Sequence, residues 1–220
     1  MSAPRGPEPG RRVGRVASAG RRIVLIRFPA PEATAEPVPA ELTKAVERIG
    51  FGQRDLVVHR SLDSLQGCAY LLAAPDRRSV ADEAYARLCD ALTAELPTAS
   101  AARLLALMEV DGVSASAAPT HHYVVETDVV ATAEADLNAW YDQEHMPGLA
   151  AVPGSVRAAR YRNLDDGPRY HACYELASHE TFGSPAWLRV RATDWSSRVR
   201  PMFVNTRRTM FRTLAGLSGT

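Results

Sequence analysis

The same order of elements occurs twice in this chain: strand, helix, strand, strand, helix, strand. In the first half, residues 22–28 (RIVLIRF) are apolar and β-branched, hence a strand. A Pro-rich loop over 29–39 leads to a helix over 40–49, with Leu42, Val46 and Ile49 at helical spacing. Strands over 55–60 and 68–74 follow. A helix over 80–96 then puts Ala84, Leu88, Ala91 and Leu92 on one face and stops at Pro97. A strand over 103–110 ends the unit. The second half reads as a strand over 123–130 and a helix over 133–146. Strands over 155–163 and 169–176 are joined by the turn Asp165-Asp166-Gly167-Pro168. A short helix over 181–191, entered through Ser184-Pro185, and a strand within 202–214 complete it.

Each half is therefore a ferredoxin-like β-α-β-β-α-β unit, one sheet with both helices on one face. The strands are apolar or aromatic on both parities, so the second face of each sheet also needs cover. Two units in one chain can cover each other sheet to sheet. The expected fold is α+β: two tandem ferredoxin-like units forming an intramolecular version of a dimeric α/β barrel, with a cavity between the sheets. The expected division is a disordered tail over 1–21, a first unit over 22–112, a linker over 113–120 and a second unit over 121–220.

Composition narrows the function classes. The chain has 220 residues, 46% apolar and 23% charged, the mix of a soluble globular protein. Its net charge of +1 argues against nucleic acid as the main partner. No apolar run approaches the ~20 residues that cross a bilayer. Cys68, Cys89 and Cys173 are far apart, odd in number and lack metal-site spacing, so they read as reduced thiols in a cytoplasmic protein. No Gly-x-Gly-x-x-Gly follows a strand, and neither a phosphate loop nor Gly-x-Ser-x-Gly is present. Adjacent His121 and His122 point to opposite faces of a strand and cannot share a metal ion. No haem motif accompanies His59, His145 or His171. The expected protein binds no metal and no cofactor. Its expected partner is a small-molecule substrate, with neither nucleic acid nor membrane, and two chains could pair as a homodimer.

The stretch Asn138-Ala-Trp-Tyr-Asp-Gln-Glu-His145-Met-Pro147 carries the candidate chemistry. His145 lies four residues after Tyr141 and so neighbours it on a helix surface. Pro147 is expected to end or kink the helix at Met146. That places His145 near the negative end of the helix dipole, which would raise its pKa. Such a histidine can act as general base or acid, or it can cap the helix. Glu126, His171, Cys173 and Glu175 form a polar set on strands. His171, Cys173 and Glu175 share one face of theirs, opposite Tyr170, Ala172, Tyr174 and Leu176. The more apolar set should meet the helices, turning His171 toward the cavity. Arg160 and Arg162 share a strand side with Tyr161 opposite, and an arginine in an apolar cavity would suit a carboxylate or enolate. Tyr123, Trp140, Trp187 and Trp195 serve either as pocket walls or as packing.

The second half resembles the dimeric α/β-barrel superfamily, in particular EthD-like proteins and related actinobacterial proteins. The residues that carry the resemblance are Trp140-Tyr141-x-x-Glu144-His145-x-Pro147, Val152-Pro153-Gly154, Ala159-Arg160-Tyr161-Arg162, Tyr170, Tyr174-Glu175-Leu176, Ser184-Pro185-Ala186-Trp187, Trp195, Arg200 and Pro201, over roughly residues 121 to 212. The superfamily includes cofactor-free isomerases, polyketide cyclases, cofactor-free monooxygenases, haem enzymes and proteins without known activity. The equivalent helix of the first half has no His-x-Pro, which implies one asymmetric site.

The expected function is cofactor-independent proton-transfer chemistry on an aromatic or polyketide-like carbonyl substrate: isomerisation, cyclisation, dehydration or decarboxylation. His145, His171 and Arg160 are the candidate catalytic residues. Tyr123, Glu126, Trp140, Tyr141, Tyr161 and Trp187 are candidates for substrate binding. The alternatives are a cofactor-free monooxygenase using the same pocket and a non-catalytic ligand-binding barrel.

Overall fold

The computed structural model describes residues 15–16, 20–30, 38–72 and 79–215. The first unit holds β1 (Arg15–Val16), β2 (Arg22–Pro29), α1 (Ala40–Glu47), β3 (Leu56–Ser61), β4 (Gln66–Leu71), α2 (Asp82–Glu95) and β5 (Ser100–Asp111). The second holds β6 (His121–Val129), α3 (Glu134–Trp140), a π-helical turn (Tyr141–His145), α4 (Met146–Ala150), β7 (Ser155–Asn163) and β8 (Tyr170–Leu176). It ends with α5 (Pro185–Arg191), α6 (Asp194–Val199) and β9 (Phe203–Ala215). The last helical stretch extends beyond the expected 181–191 because Ser184 and Thr193 each cap a short helix with a side-chain oxygen.

Within the units the strand orders are β5-β2-β4-β3 and β9-β6-β8-β7, the ferredoxin-like arrangement. Two antiparallel seams, β3–β9 and β5–β7, join the sheets into a closed ring of eight strands. Closure leaves none of the eight with a free edge. The β1 strand adds to the outside of the β5 pairing, and Gly20 and Arg21 exchange backbone bonds with Ala106. These residues belong to the segment expected to be a disordered tail; the remainder of that segment lies outside the described residues, as does the end of the strand expected over 68–74.

The two apolar parities now have separate destinations. Val24, Ile26 and Phe28 of β2 pack against Leu42 and Val46 of α1 and Leu88 of α2. Ile23 and Leu25, from the same strand, point inward and meet Leu104, Val124, Cys173 and Phe211 inside the barrel. The outer face of the second sheet presents Tyr123, Tyr170, Tyr174 and Leu176 to Leu137, Trp140, Leu149 and Trp187 of the helices.

Two glutamates inside the ring are each held by arginines from both halves of the chain. Glu109 of β5 accepts from Arg21 at 2.9 Å, from Arg157 of β7 at 2.7 Å and from the Tyr161 hydroxyl at 3.2 Å. Glu126 of β6 pairs with Arg27 of β2 and with Arg207 of β9 at 3.4 Å. Such pairs neutralise charge that the interior would otherwise leave uncompensated.

Glu109→Gln keeps the shape of this side chain and removes its charge, leaving Arg21 and Arg157 unpaired across the β5–β7 seam. A loss of about 2–4 kcal/mol is expected, read as a lower urea midpoint. An unchanged midpoint would show that the clasp is not a source of stability.

Candidate active site

The segment from Glu134 to Ala150 runs as one helix with a widened turn at its centre. The Met146 N–H bonds to the Tyr141 carbonyl five residues back, the signature of a π turn. Pro147 then falls in the first turn of α4, where its missing N–H costs little. The expected helix end at Met146 is therefore not found: the widened turn accommodates the proline and the helix continues to Ala150. His145 consequently sits in mid-helix, and the expected rise of its pKa is reversed. Burial pushes the imidazole down from 6.5 to about 3, and Arg191 and Arg200 add to the effect. It is a neutral ring at pH 7.

The π turn aims His145 into an aromatic recess between the helices and the outer face of the second sheet. Its ring stacks on Trp140 at 4.1 Å and meets Tyr141 edge-on at 5.4 Å and Tyr174 edge-on at 6.4 Å. Glu144 steadies this arrangement by accepting from Trp140 Nε1 at 3.1 Å and from the Thr193 hydroxyl at 2.6 Å. Tyr123, Trp187 and Phe203 supply further walls. The recess spans about 360 Å³. Two buried polar atoms here have no hydrogen-bond partner, His145 Nδ1 and Trp187 Nε1. Burial raises the Tyr123 pKa, so its hydroxyl stays protonated and able to donate.

Arg191 of α5, Arg200 after α6 and Arg208 of β9 converge on the same recess. Of these three only Arg200 belongs to the residues that carry the family resemblance. Nothing in local spacing marks them, because three separate elements bring them together.

The candidate residues divide between two sides of the sheet. Tyr123, Trp140, Tyr141 and Trp187 share the recess with His145. Arg160 lies beside it, almost fully buried, but is already occupied. It donates to Asn138 Oδ1 at 2.7 Å, and its guanidinium lies 4.5 Å from the Tyr141 ring and 4.6 Å from that of Tyr170. The role expected for it, pairing with a substrate anion, is not the one its contacts show. His171, Glu126 and Tyr161 face the barrel interior, with His171 Nδ1 3.6 Å from Glu126. His171 does turn to the space between the sheets, as parity indicates. The expected cavity between the sheets is present, about 400 Å³ lined by residues that include Tyr70, His122, Tyr161 and Cys173, but His145 does not point into it: the sheet itself separates the two groups.

The barrel interior has its own polar chain. His59 and His122 stack at 4.2 Å, and His122 Nε2 lies 3.2 Å from the Tyr70 hydroxyl, which is 3.7 Å from Cys173 Sγ. Cys68 and Cys173 are buried free thiols whose pKa values burial raises, while Cys89 is half-buried. Among the described residues no group of three or more His, Cys, Asp or Glu is placed to hold a metal ion. No helix among them is long and apolar enough to cross a membrane.

The chain matches no protein-family model and no curated protein. Solved structures share its fold. An anthrone oxidase-like protein is 13% identical with a TM-score of 0.56, covering 92% of this chain and 95% of that one. A ferredoxin-fold protein from Listeria monocytogenes, described as related to antibiotic biosynthesis monooxygenases, is 8% identical with a TM-score of 0.53, over 88% and 95% of the two chains. A heme-degrading enzyme from the same organism is 7% identical with a TM-score of 0.50, over 87% and 99%. At these identities the likeness is one of fold. The chain is built as a ferredoxin-fold dimeric α/β barrel, and the narrower EthD-like resemblance has no matching family model behind it.

The buried histidines predict a pH dependence of stability. Burial lowers His122 and His145 to about 3 and His171 to about 4 from the ordinary 6.5. Below pH 6.5 the unfolded chain takes up these protons and the folded chain does not. Stability is therefore complete above pH 6.5 and declines as the pH falls toward 4, by up to about 1.4 kcal/mol per pH unit per histidine. Urea midpoints at pH 7, 6 and 5 measure the slope, and His145→Gln should remove one histidine's share. An unchanged slope in that variant would mean that His145 is charged in the fold.

Proposed function

We propose that this protein is a small-molecule enzyme that moves a proton on an aromatic or polyketide-like carbonyl substrate without a bound cofactor, with His145 as the base. The observation that carries this reading is the neutral His145 ring, held by Trp140 and Tyr141 at the wall of an aromatic recess, with an unpartnered Nδ1. A neutral imidazole can accept a proton without first losing one. The aromatic walls suit a flat, apolar substrate. The Tyr123 hydroxyl and Trp187 Nε1 are donors that would stabilise the oxygen of an enolate as it forms. Arg160 acts in this reading as a positioning residue, fixing Tyr141 beneath the histidine. His171, Glu126 and Tyr161 support the barrel from its interior.

A second reading, cofactor-free oxygenation, begins with the same step. Removing a proton from a phenol or an enol yields an electron-rich anion that can meet molecular oxygen. The names of two fold neighbours, anthrone oxidase-like and related to antibiotic biosynthesis monooxygenases, favour it.

The test is solvent deuterium exchange at the acidic carbon of a panel of aromatic 1,3-dicarbonyl compounds, followed by NMR, with an oxygen electrode in parallel. His145→Gln is expected to slow exchange by about 10²- to 10⁴-fold while the fold is retained. Oxygen uptake that disappears in the same variant would select the oxygenase reading. Equal exchange by wild type and variant, with no oxygen uptake, would remove His145 from the chemistry and leave a binding protein.

A further inference from the structure

The charge balance around the recess is one-sided. Arg191, Arg200 and Arg208 line it, and among the described residues none of the three has a carboxylate partner. Three acidic groups of the same layer are committed elsewhere. Asp136 binds Arg198 and Trp195, Glu134 binds Arg169 and Tyr170, and Glu144 binds Trp140 and Thr193. Three like charges brought together repel one another. Burial lowers the Arg200 pKa, and the neighbouring Arg191 and Arg208 lower it further. Arg191 and Arg200 are half-buried, so water does not fully screen this repulsion. An arrangement of this kind is relieved by an anion.

The hydrogen-bonding groups point the same way. Trp187 Nε1 can only donate, it is fully buried, and it has no acceptor. Tyr123 and the three arginines, of which Arg208 is exposed, also bring donors to the lining of this space. The lining of the recess thus combines donors and positive charge with aromatic rings.

We infer that the natural ligand of this recess is an aromatic or polyketide-like molecule bearing a fixed negative charge, a carboxylate or an ionised phenol or enol, held by Arg191, Arg200 and Arg208 with its ring system against Trp140, Tyr174 and Trp187. The inference rests on the reading of this recess as a ligand site and names the substrate class. A planar guanidinium matches a carboxylate in a two-point contact, which fixes orientation as well as affinity. The charge would sit at the mouth and the reacting carbon deeper, near His145. An anion there would also offset the positive field that weakens His145 as a base.

The probes are 2-naphthoate and 2-naphthamide, nearly equal in shape and different in charge. Their binding to the full chain is measured by calorimetry at low and at moderate salt. The carboxylate is expected to bind at least about tenfold more tightly than the amide, with a preference that shrinks as salt rises. Arg200→Gln and Arg208→Gln should each reduce the preference, and the double variant should abolish it. Thermal melts confirm that these variants fold, and Arg198→Gln, which removes an arginine paired outside the recess, should keep the preference. Equal affinity for the two probes, or binding of neither, overturns the inference. A charge preference that survives in His145→Gln while exchange is lost supports both readings. A charge preference with exchange unaffected by His145→Gln leaves the anion site standing and removes the proton-transfer reading. Loss of exchange in His145→Gln without any charge preference does the reverse.

Discussion

Each sheet in this chain is apolar on both faces, and that constraint determines the rest. A four-stranded sheet with helices on one side only would leave Ile23, Leu25, Leu104, Val124 and Phe211 in water. At about 25 cal/mol per Å² of apolar surface, the exposure of five such side chains costs several kcal/mol, an appreciable part of the stability of an ordinary domain. Joining the sheets through β3–β9 and β5–β7 buries them and removes the free edges together. The carboxylates of the interior so formed, at Glu109 and Glu126, are matched by arginines. The site is left to the helix layers. In the first unit that layer is aliphatic, built on Leu42, Val46, Leu88 and Leu92. The second unit's layer instead gathers a histidine, three arginines and an aromatic wall around one recess.

The π turn is the local device that makes this site. A regular helix would distribute Trp140, Tyr141 and His145 around a tighter cylinder. One extra residue in the turn places the His145 ring nearly parallel to Trp140, with an interplanar angle of 24°. The same turn makes room for Pro147, so the feature that orients the histidine also keeps the helix continuous past the proline. Behind it, the Arg160 guanidinium between the faces of Tyr141 and Tyr170 fixes the tyrosine from the sheet side.

What the sequence made legible follows from the strength of each periodic signal. The alternation in Tyr170–Leu176 separates Tyr170, Ala172, Tyr174 and Leu176 from His171, Cys173 and Glu175, and the sheet obeys it. The repeated element order led to the tandem barrel for the same reason, since both patterns are local and redundant. The combination of His145 with His171 and Glu126 in one cavity was not legible correctly. Strand parity says that two residues differ in face, not which face meets the pocket of a distant helix. Pro147 read as a stop because a single proline cannot reveal a π turn one residue earlier. The arginine trio was invisible because α5, the turn after α6 and β9 meet only in three dimensions.

The electrostatics of the site are best understood as those of an unfinished ion pair. His145 is depressed to about 3 chiefly by burial, but Arg191 and Arg200 contribute in the same direction. Proton transfer to His145 with no anion in the recess would add an imidazolium to a cluster of guanidinium groups. With an anion among the arginines, as proposed above, the local positive field would fall and an imidazolium at His145 would be less disfavoured. The same charge that would hold the substrate would thus raise the basicity of the group that acts on it. On the proposed reading, the basicity of His145 would rise when an anion occupies the recess.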